Sequence, residues 1–172
     1  MQPQYRNRHN FMIFGGFLLK STFELAFTCA SAISHTRPTF IALDPSTFEN
    51  PVPVGSVLYL TATVAYSDSP LLTPDSPSFQ NDRGSKFAFH DRKVSPEGST
   101  RVQIRVDSKV KNVEHDGETK PTGTFNYTFE VKKDIKVIPE SYAEFMMFLD
   151  ARRRCLVLDE QGKTGEEGGV MG

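Results

Sequence analysis

Residues 17–34 read FLLKSTFELAFTCASAIS, with apolar or small side chains in nearly every turn and charges at Lys20 and Glu24 only. A helix that is apolar almost all round is buried on most of its sides. Gly15-Gly16 stands just before the stretch and Pro38 just after it, so the spacing predicts a helix ending near Ser34. By itself that pattern describes a core helix. The fold follows from what the rest of the chain places around it.

Most of the remainder reads as strand. Residues 101–113 (RVQIRVDSKVKNV) put Val102, Ile104, Val106 and Val110 on one parity and Arg101, Gln103, Arg105, Asp107 and Lys109 on the other. This alternation marks a half-buried antiparallel strand. Residues 122–132 (TGTFNYTFEVK) repeat it with Phe125, Tyr127, Phe129 and Val131, and residues 39–48 (TFIALDPSTF) and 56–66 (SVLYLTATVAY) alternate likewise. NPVPVG at 50–55 is turn chemistry. A short strand at 11–14 precedes the helix, and 140–158 (ESYAEFMMFLDARRRCLVL) reads as a second helix after Pro139. One apolar helix ahead of an antiparallel sheet has its faces covered when the sheet curls and wraps it. The predicted architecture is α+β, a hotdog fold with a C-terminal helix.

The chain of 172 residues has room for one such domain, placed at 11–158 behind an N-terminal segment 1–10. Residues 67–99 hold seven serines and four prolines without sustained periodicity, which predicts a disordered insert; Phe79, Phe87 and Phe89 are its apolar exceptions. The polar, glycine-rich residues 159–172 predict a disordered tail. Structured-looking sequence begins almost at once after Met1, which suggests an upstream piece, a targeting peptide or another domain.

Twenty Lys+Arg against twenty-one Asp+Glu give a net charge of −1, which argues against nucleic-acid binding through bulk positive charge. No run approaches the ~18 apolar residues of a membrane span, and no secretory signal opens the chain. Cys29 and Cys155 sit in apolar helical stretches, as buried free thiols do, and no metal-ligand spacing, P-loop or dinucleotide glycine fingerprint occurs. No cofactor or metal is expected.

RHNFMIFGGFLLKSTFELAF followed by RPTFIALDPSTFENPVPVGSVLYL resembles the hotdog domain of acyl-CoA thioesterases over residues 5–66 and 100–155. The resemblance is to the second of two hotdog repeats in the mitochondrial acyl-CoA thioesterase 9 type, in a fungal form. It implies hydrolysis of fatty acyl-CoA to free acid and coenzyme A in mitochondria, at a seam between two hotdog units, either two copies or an upstream repeat. In such pairs one unit supplies an asparagine ahead of the Gly-Gly turn and the other a carboxylate from its central helix. Asn7 or Asn10 fills the first role here, with His9 between them as a possible base. The central-helix acid of many relatives falls at Phe23, next to Glu24.

Chemically, a thioester carbonyl gathers negative charge under attack, and aimed donors stabilise it. The Gly15-Gly16 turn opens the helix, where the N–H groups of Gly16 and Phe17 and the dipole favour an oxyanion and glycine leaves room for close approach. Without a ligand, the same glycines make a tight strand-to-helix turn. Glu24, a carboxylate in an apolar helix, is either a partnered structural anchor or a group with chemistry. Arg37 and Thr39, just after the helix, are candidates for the acyl-CoA path, and Arg152-Arg153-Arg154 for coenzyme phosphates or simply a solvated face. The competing function is a non-catalytic hotdog module that binds acyl-CoA or pairs with a catalytic half.

Overall fold

The computed structural model describes residues 1–7, 11–68, 99–113 and 118–167, with side chains described through 157. A single turn of 3-10 helix at Pro3–Tyr5 is followed by α1 (Gly15–Ser34), β1 (Thr39–Leu43), β2 (Val57–Ser67), β3 (Thr100–Lys111), β4 (Lys120–Val131) and α2 (Tyr142–Glu167). The strands form one antiparallel sheet in the order β1-β4-β3-β2.

The register places Val102 opposite Phe129, Ile104 opposite Tyr127 and Val106 opposite Phe125, so one parity of both strands makes one continuous apolar face. α1 lies on that face. Its fully buried stripe is Leu18, Thr22, Ala26, Ala30 and Ser34, spaced four residues apart. Small residues at the stripe's centre let the helix approach the sheet closely, against a core of Val102, Ile104, Val106, Phe125, Tyr127 and Phe129. The helix stops where His35 adopts a left-handed conformation (φ 54°) and its N–H bonds back to the Ser31 carbonyl.

Burial of α1 is one-sided. Lys20, Glu24, Thr28 and Ala32 are exposed opposite the stripe, and Phe23, Phe27, Leu25 and Ile33 on the flanks are half-buried. The expectation of burial on most sides therefore holds for the sheet side and flanks and not for the back. The physical reason is area: four strands form a single layer that covers one side of a rod.

The expected strand at 11–14 is reduced to two isolated bridges, Arg6 with Ile13 and Met12 with Pro53. Pro53 has no N–H to extend a ladder there. The Ile13 amide still donates to the Val52 carbonyl at 2.8 Å and the Val54 amide to the Phe11 carbonyl at 3.0 Å, so the segment lies along the approach to β2. Strand β1 is shorter than 39–48: its ladder continues through a bulge after Phe40 to Leu43 and stops ahead of Pro45, which has no N–H to donate.

α2 begins with a capping box: Ser141 Oγ accepts from the Glu144 amide, and Glu144 Oε2 accepts from the Ser141 amide. Its main chain runs on to Glu167, through most of the stretch expected to be a disordered tail from 159. Gln161, Lys163, Glu166 and Glu167 are good helix formers and offset Gly162 and Gly165, each costing about 1 kcal/mol. Ser67 and Ser99, the expected ends of the insert, are ordered: Ser67 Oγ accepts from the Val137 amide at 3.0 Å and Ser99 donates to Glu130 at 2.8 Å. The interior of the predicted insert, 69–98, lies outside the described residues.

Candidate functional site

The glycine pair forms the first turn of α1, behind an extended Phe14 that offers no side-chain cap. Among the described residues nothing accepts from the Gly15 or Gly16 amide, whereas the Phe17 amide donates to the Phe14 carbonyl at 2.9 Å. This corrects the expectation that Phe17 has a free donor: its N–H closes the turn, and the two glycine amides keep the unfilled donors of a helix start. The Phe17 ring stacks on Tyr5 at 4.1 Å and anchors the N-terminal segment.

The glycines also make room for two aromatic rings. A Cβ on Gly16 would lie 2.4 Å from Phe14 Cε1, and one on Gly15 would lie 3.2 Å from Phe48 Cζ. A side chain at either position would push the neighbouring ring aside. Phe14 (59% exposed) and Phe48 (49% exposed) leave the turn flanked by open phenyl surface. Two grooves, of about 570 and 590 Å³, lie elsewhere: beside α2 at Arg105 and Met146, and at Pro53 and Lys120.

Asn7 is exposed on the segment that pairs with the approach to this turn, its main-chain amide donating to the Met12 carbonyl at 2.7 Å. His9 and Asn10 lie outside the described residues. Glu24 is not the costly buried carboxylate expected of an apolar helix. It stands on the exposed back of α1, 3.8 Å from Lys20, with the two side chains 64% and 71% exposed. Its one-turn spacing from Lys20 on the same line explains how an apolar helix carries both charges in water. Phe23, where the resemblance expects an acid, is half-buried and packs against aromatics: Phe40 at 5.4 Å edge-on, Tyr127 at 5.8 Å and Phe129 at 6.0 Å.

Arg37 and Thr39 are exposed near the carboxyl end of α1, Thr39 pairing with Glu130. A helix of 20 residues spans roughly 30 Å. Within one chain they therefore lie at the end of α1 opposite the glycine turn.

Two polar features escape inspection of the sequence. Under the apolar stripe, Tyr127 Oη and Thr22 Oγ1 share a hydrogen bond at 2.7 Å, and Tyr127 also donates to the Leu19 carbonyl at 3.2 Å. Burial raises the Tyr127 pKa, and the bond to Thr22 opposes the shift. On the other face of the sheet, α2 turns Arg154 inward. Arg154 meets buried Asp44 at 3.0 Å and donates to Gln103 Oε1 at 3.1 Å, to Asn126 Oδ1 at 3.4 Å and to Asp150. The Nε–H is not aimed at Asp44, so that contact is an ion pair without an aligned hydrogen bond. Burial raises the Asp44 pKa, opposed first by the Arg154 charge. The arginine run therefore splits: Arg153 is exposed beside Asp150, and Arg154 is a structural tie. Cys29 is half-buried with its pKa raised by burial, unlike an activated thiolate.

No metal-ligand cluster occurs among the described residues, nor a helix long and apolar enough to cross a membrane.

No family model matches the chain. It is 32% identical over 152 residues to human mitochondrial acyl-coenzyme A thioesterase 9, covering 88% of this chain and 27% of that protein. It is 35% identical over 141 residues to the chloroplastic acyl-coenzyme A thioesterase 2 of Humulus lupulus, covering 82% and 26%. The chain spans about a quarter of the length of the curated relatives it matches. Among solved structures, the Staphylococcus aureus acyl-CoA hydrolase in complex with butyryl coenzyme A superposes with a TM-score of 0.70 at 18% identity, covering 98% of this chain and 87% of that one. A Bacillus cereus acyl-CoA hydrolase gives 0.67 at 16%, covering 100% and 90%. A hexameric thioesterase of Yersinia pestis gives 0.51 at 19%, covering 81% and 90%. The chain has the hotdog fold, and over most of its length its sequence is similar to acyl-CoA thioesterases.

Proposed function

We propose that this chain is one half of a double-hotdog acyl-CoA thioesterase, of the second-repeat type in a fungal version, that hydrolyses fatty acyl-CoA to fatty acid and coenzyme A. Its share of the site is Asn7 or Asn10 and the Gly15-Gly16 turn. Water, held by the asparagine amide and deprotonated by a carboxylate of the second unit, adds to the thioester carbonyl carbon. The carbonyl oxygen takes negative charge facing the Gly15 and Gly16 amides, each oxyanion donor being worth about 3–4 kcal/mol. The carbon–sulfur bond then breaks, and the thiolate leaves with a proton as coenzyme A.

The observation that carries this reading is the one-sided burial of α1. Phe23 and Phe27 on its flank and Phe40, Ile41 and Leu43 on the edge strand β1 form an apolar seam that one layer of sheet leaves open. An uncovered edge strand beside an apolar helix flank suits a second hotdog unit, another copy or an upstream repeat. The oligomeric neighbours support such pairing. The mitochondrial relatives support that compartment, although the Humulus relative is named chloroplastic.

Phe23 in place of an acid favours the second reading, a non-catalytic acyl-CoA-binding module. Free-thiol release from decanoyl-CoA separates the two. In the paired enzyme, Asn7→Ala and Asn10→Ala are expected to differ, one abolishing most turnover and the other little. Equal small effects contradict the asparagine role. Binding without turnover under every pairing favours the module.

A further inference from the structure

We propose that Phe48 is a specificity-determining residue of the acyl-thioester site, its ring forming the hydrocarbon wall beside which the first carbons of the acyl chain lie. The inference rests on the functional reading above and adds the part of the substrate that this chain senses.

The segment joining β1 to β2 runs along β4 and is tied to it at several places, among them the Asn50 side-chain amide donating to the Pro121 carbonyl at 2.7 Å. The Asp44 amide donates to the Asn126 carbonyl at 3.0 Å, Phe48 bridges Gly123, and the Glu49 amide donates to the Thr122 carbonyl at 3.0 Å. Gly123 is the point of closest approach: a Cβ there would sit 2.9 Å from the Thr47 carbonyl oxygen. On the opposite side, Gly15 makes room for the Phe48 ring itself. Two glycines, one on β4 and one on α1, thus accommodate the same pair of residues, Thr47 and Phe48.

The ring is further fixed edge-on to Phe125 at 5.7 Å. Held from both sides, it still shows 49% of its surface to water. An aromatic side chain anchored by main-chain bonds yet left half open carries unspent apolar area. The ring borders the turn whose Gly15 and Gly16 amides have no acceptor among the described residues. An amide donor next to a phenyl wall matches an oxygen acceptor joined to an alkyl chain, which is what an acyl thioester presents. Coenzyme A without its acyl group would gain nothing from the ring.

Isothermal titration of the paired enzyme with decanoyl-CoA and with free coenzyme A tests this. Phe48→Ala is expected to weaken decanoyl-CoA binding about tenfold, the worth of roughly half a buried aromatic side chain, and to leave coenzyme A binding unchanged. Phe48→Leu keeps part of the wall and is expected to cost about threefold on decanoyl-CoA only. It decides the matter if the alanine variant melts below the assay temperature. Tyr59→Ala, removing an equally exposed aromatic on β2, leaves both affinities unchanged. Equal losses for both ligands, or no loss for decanoyl-CoA, overturn the Phe48 assignment while the thioesterase reading stands. A wild type that binds neither ligand overturns that reading and this inference together.

Discussion

On the inner face of the sheet, Val102, Ile104 and Val106 meet Phe125, Tyr127 and Phe129 and the small stripe of α1. One residue along the same strands, Gln103, Asn126 and Thr128 face outward, and there α2 brings Arg154 down onto Gln103, Asn126 and Asp44. The inner face is stabilised by burial of hydrocarbon at ~25 cal/mol per Å², which needs only shape. The outer face buries charge, which needs every partner in place. A bulge between Val64 and Tyr66 serves both: it turns Tyr66 toward α2, where its ring lies 5.0 Å from Phe148, while Val64 stays with α1. The two helices thus dock on opposite faces by different physics, and substitutions should tell them apart.

The largest effect is expected inside. Phe129→Ala removes a ring in contact with Phe23, Phe27 and Phe40 and should lower unfolding free energy by about 3–5 kcal/mol in urea melts. A loss below 1 kcal/mol would mean the inner face collapses freely around the gap.

Arg154→Ala comes next. It leaves Asp44, 5% exposed, without its cation, and should cost about 2–3 kcal/mol, less than a fully buried pair because the arginine is partly open. Arg153→Ala, one residue away on the exposed side, should cost under about 0.5 kcal/mol. Equal effects would erase the distinction between the inward and outward arginines.

The outer face should also answer to pH. The folded-state pKa of Asp44 lies above the ordinary 3.8, so the folded form holds its proton longer than the unfolded chain. Its titration therefore favours folding below 3.8, and that contribution is lost as pH rises through the raised folded value. Relative to wild type, Asp44→Asn should gain stability across that acidic window and keep a constant difference above it. A difference independent of pH contradicts burial as the dominant influence on this carboxyl.

The smallest effect belongs to the back of α1. Glu24→Gln breaks an exposed one-turn pair and should change stability by under about 0.5 kcal/mol. It should also leave thioester turnover intact, since the carboxylate faces away from the sheet. Loss of turnover would restore Glu24 as a catalytic group.

Residues 17–34 and the alternation at 101–113 and 122–132 made α1 and the central strands legible, because one buried face writes its own period into the chain. The glycine turn was legible for the same local reason. What lay across the fold was not. Phe48 reaches Gly15 only through the path of a connecting segment, and Gly123 matters only because Thr47 passes over it. Successive arginines at 152–154 point about 100° apart on a helix, so composition could not say that Arg154 turns inward. The Asp150–Arg154 spacing of four was a usable hint, as was Ser141-x-x-Glu144 for the start of α2. Glu24 departs from the rule that an apolar helix is enclosed, because a single sheet layer leaves the back of α1 in water.

Mixing the wild-type chain with its Phe23→Glu variant and following thiol release from decanoyl-CoA tests the half-site account most directly. Paired units that contribute an asparagine from one side and a carboxylate from the other are expected to turn over substrate faster in the mixture than the wild-type chain does alone. Folded mixtures that associate, bind decanoyl-CoA and release no thiol would contradict it.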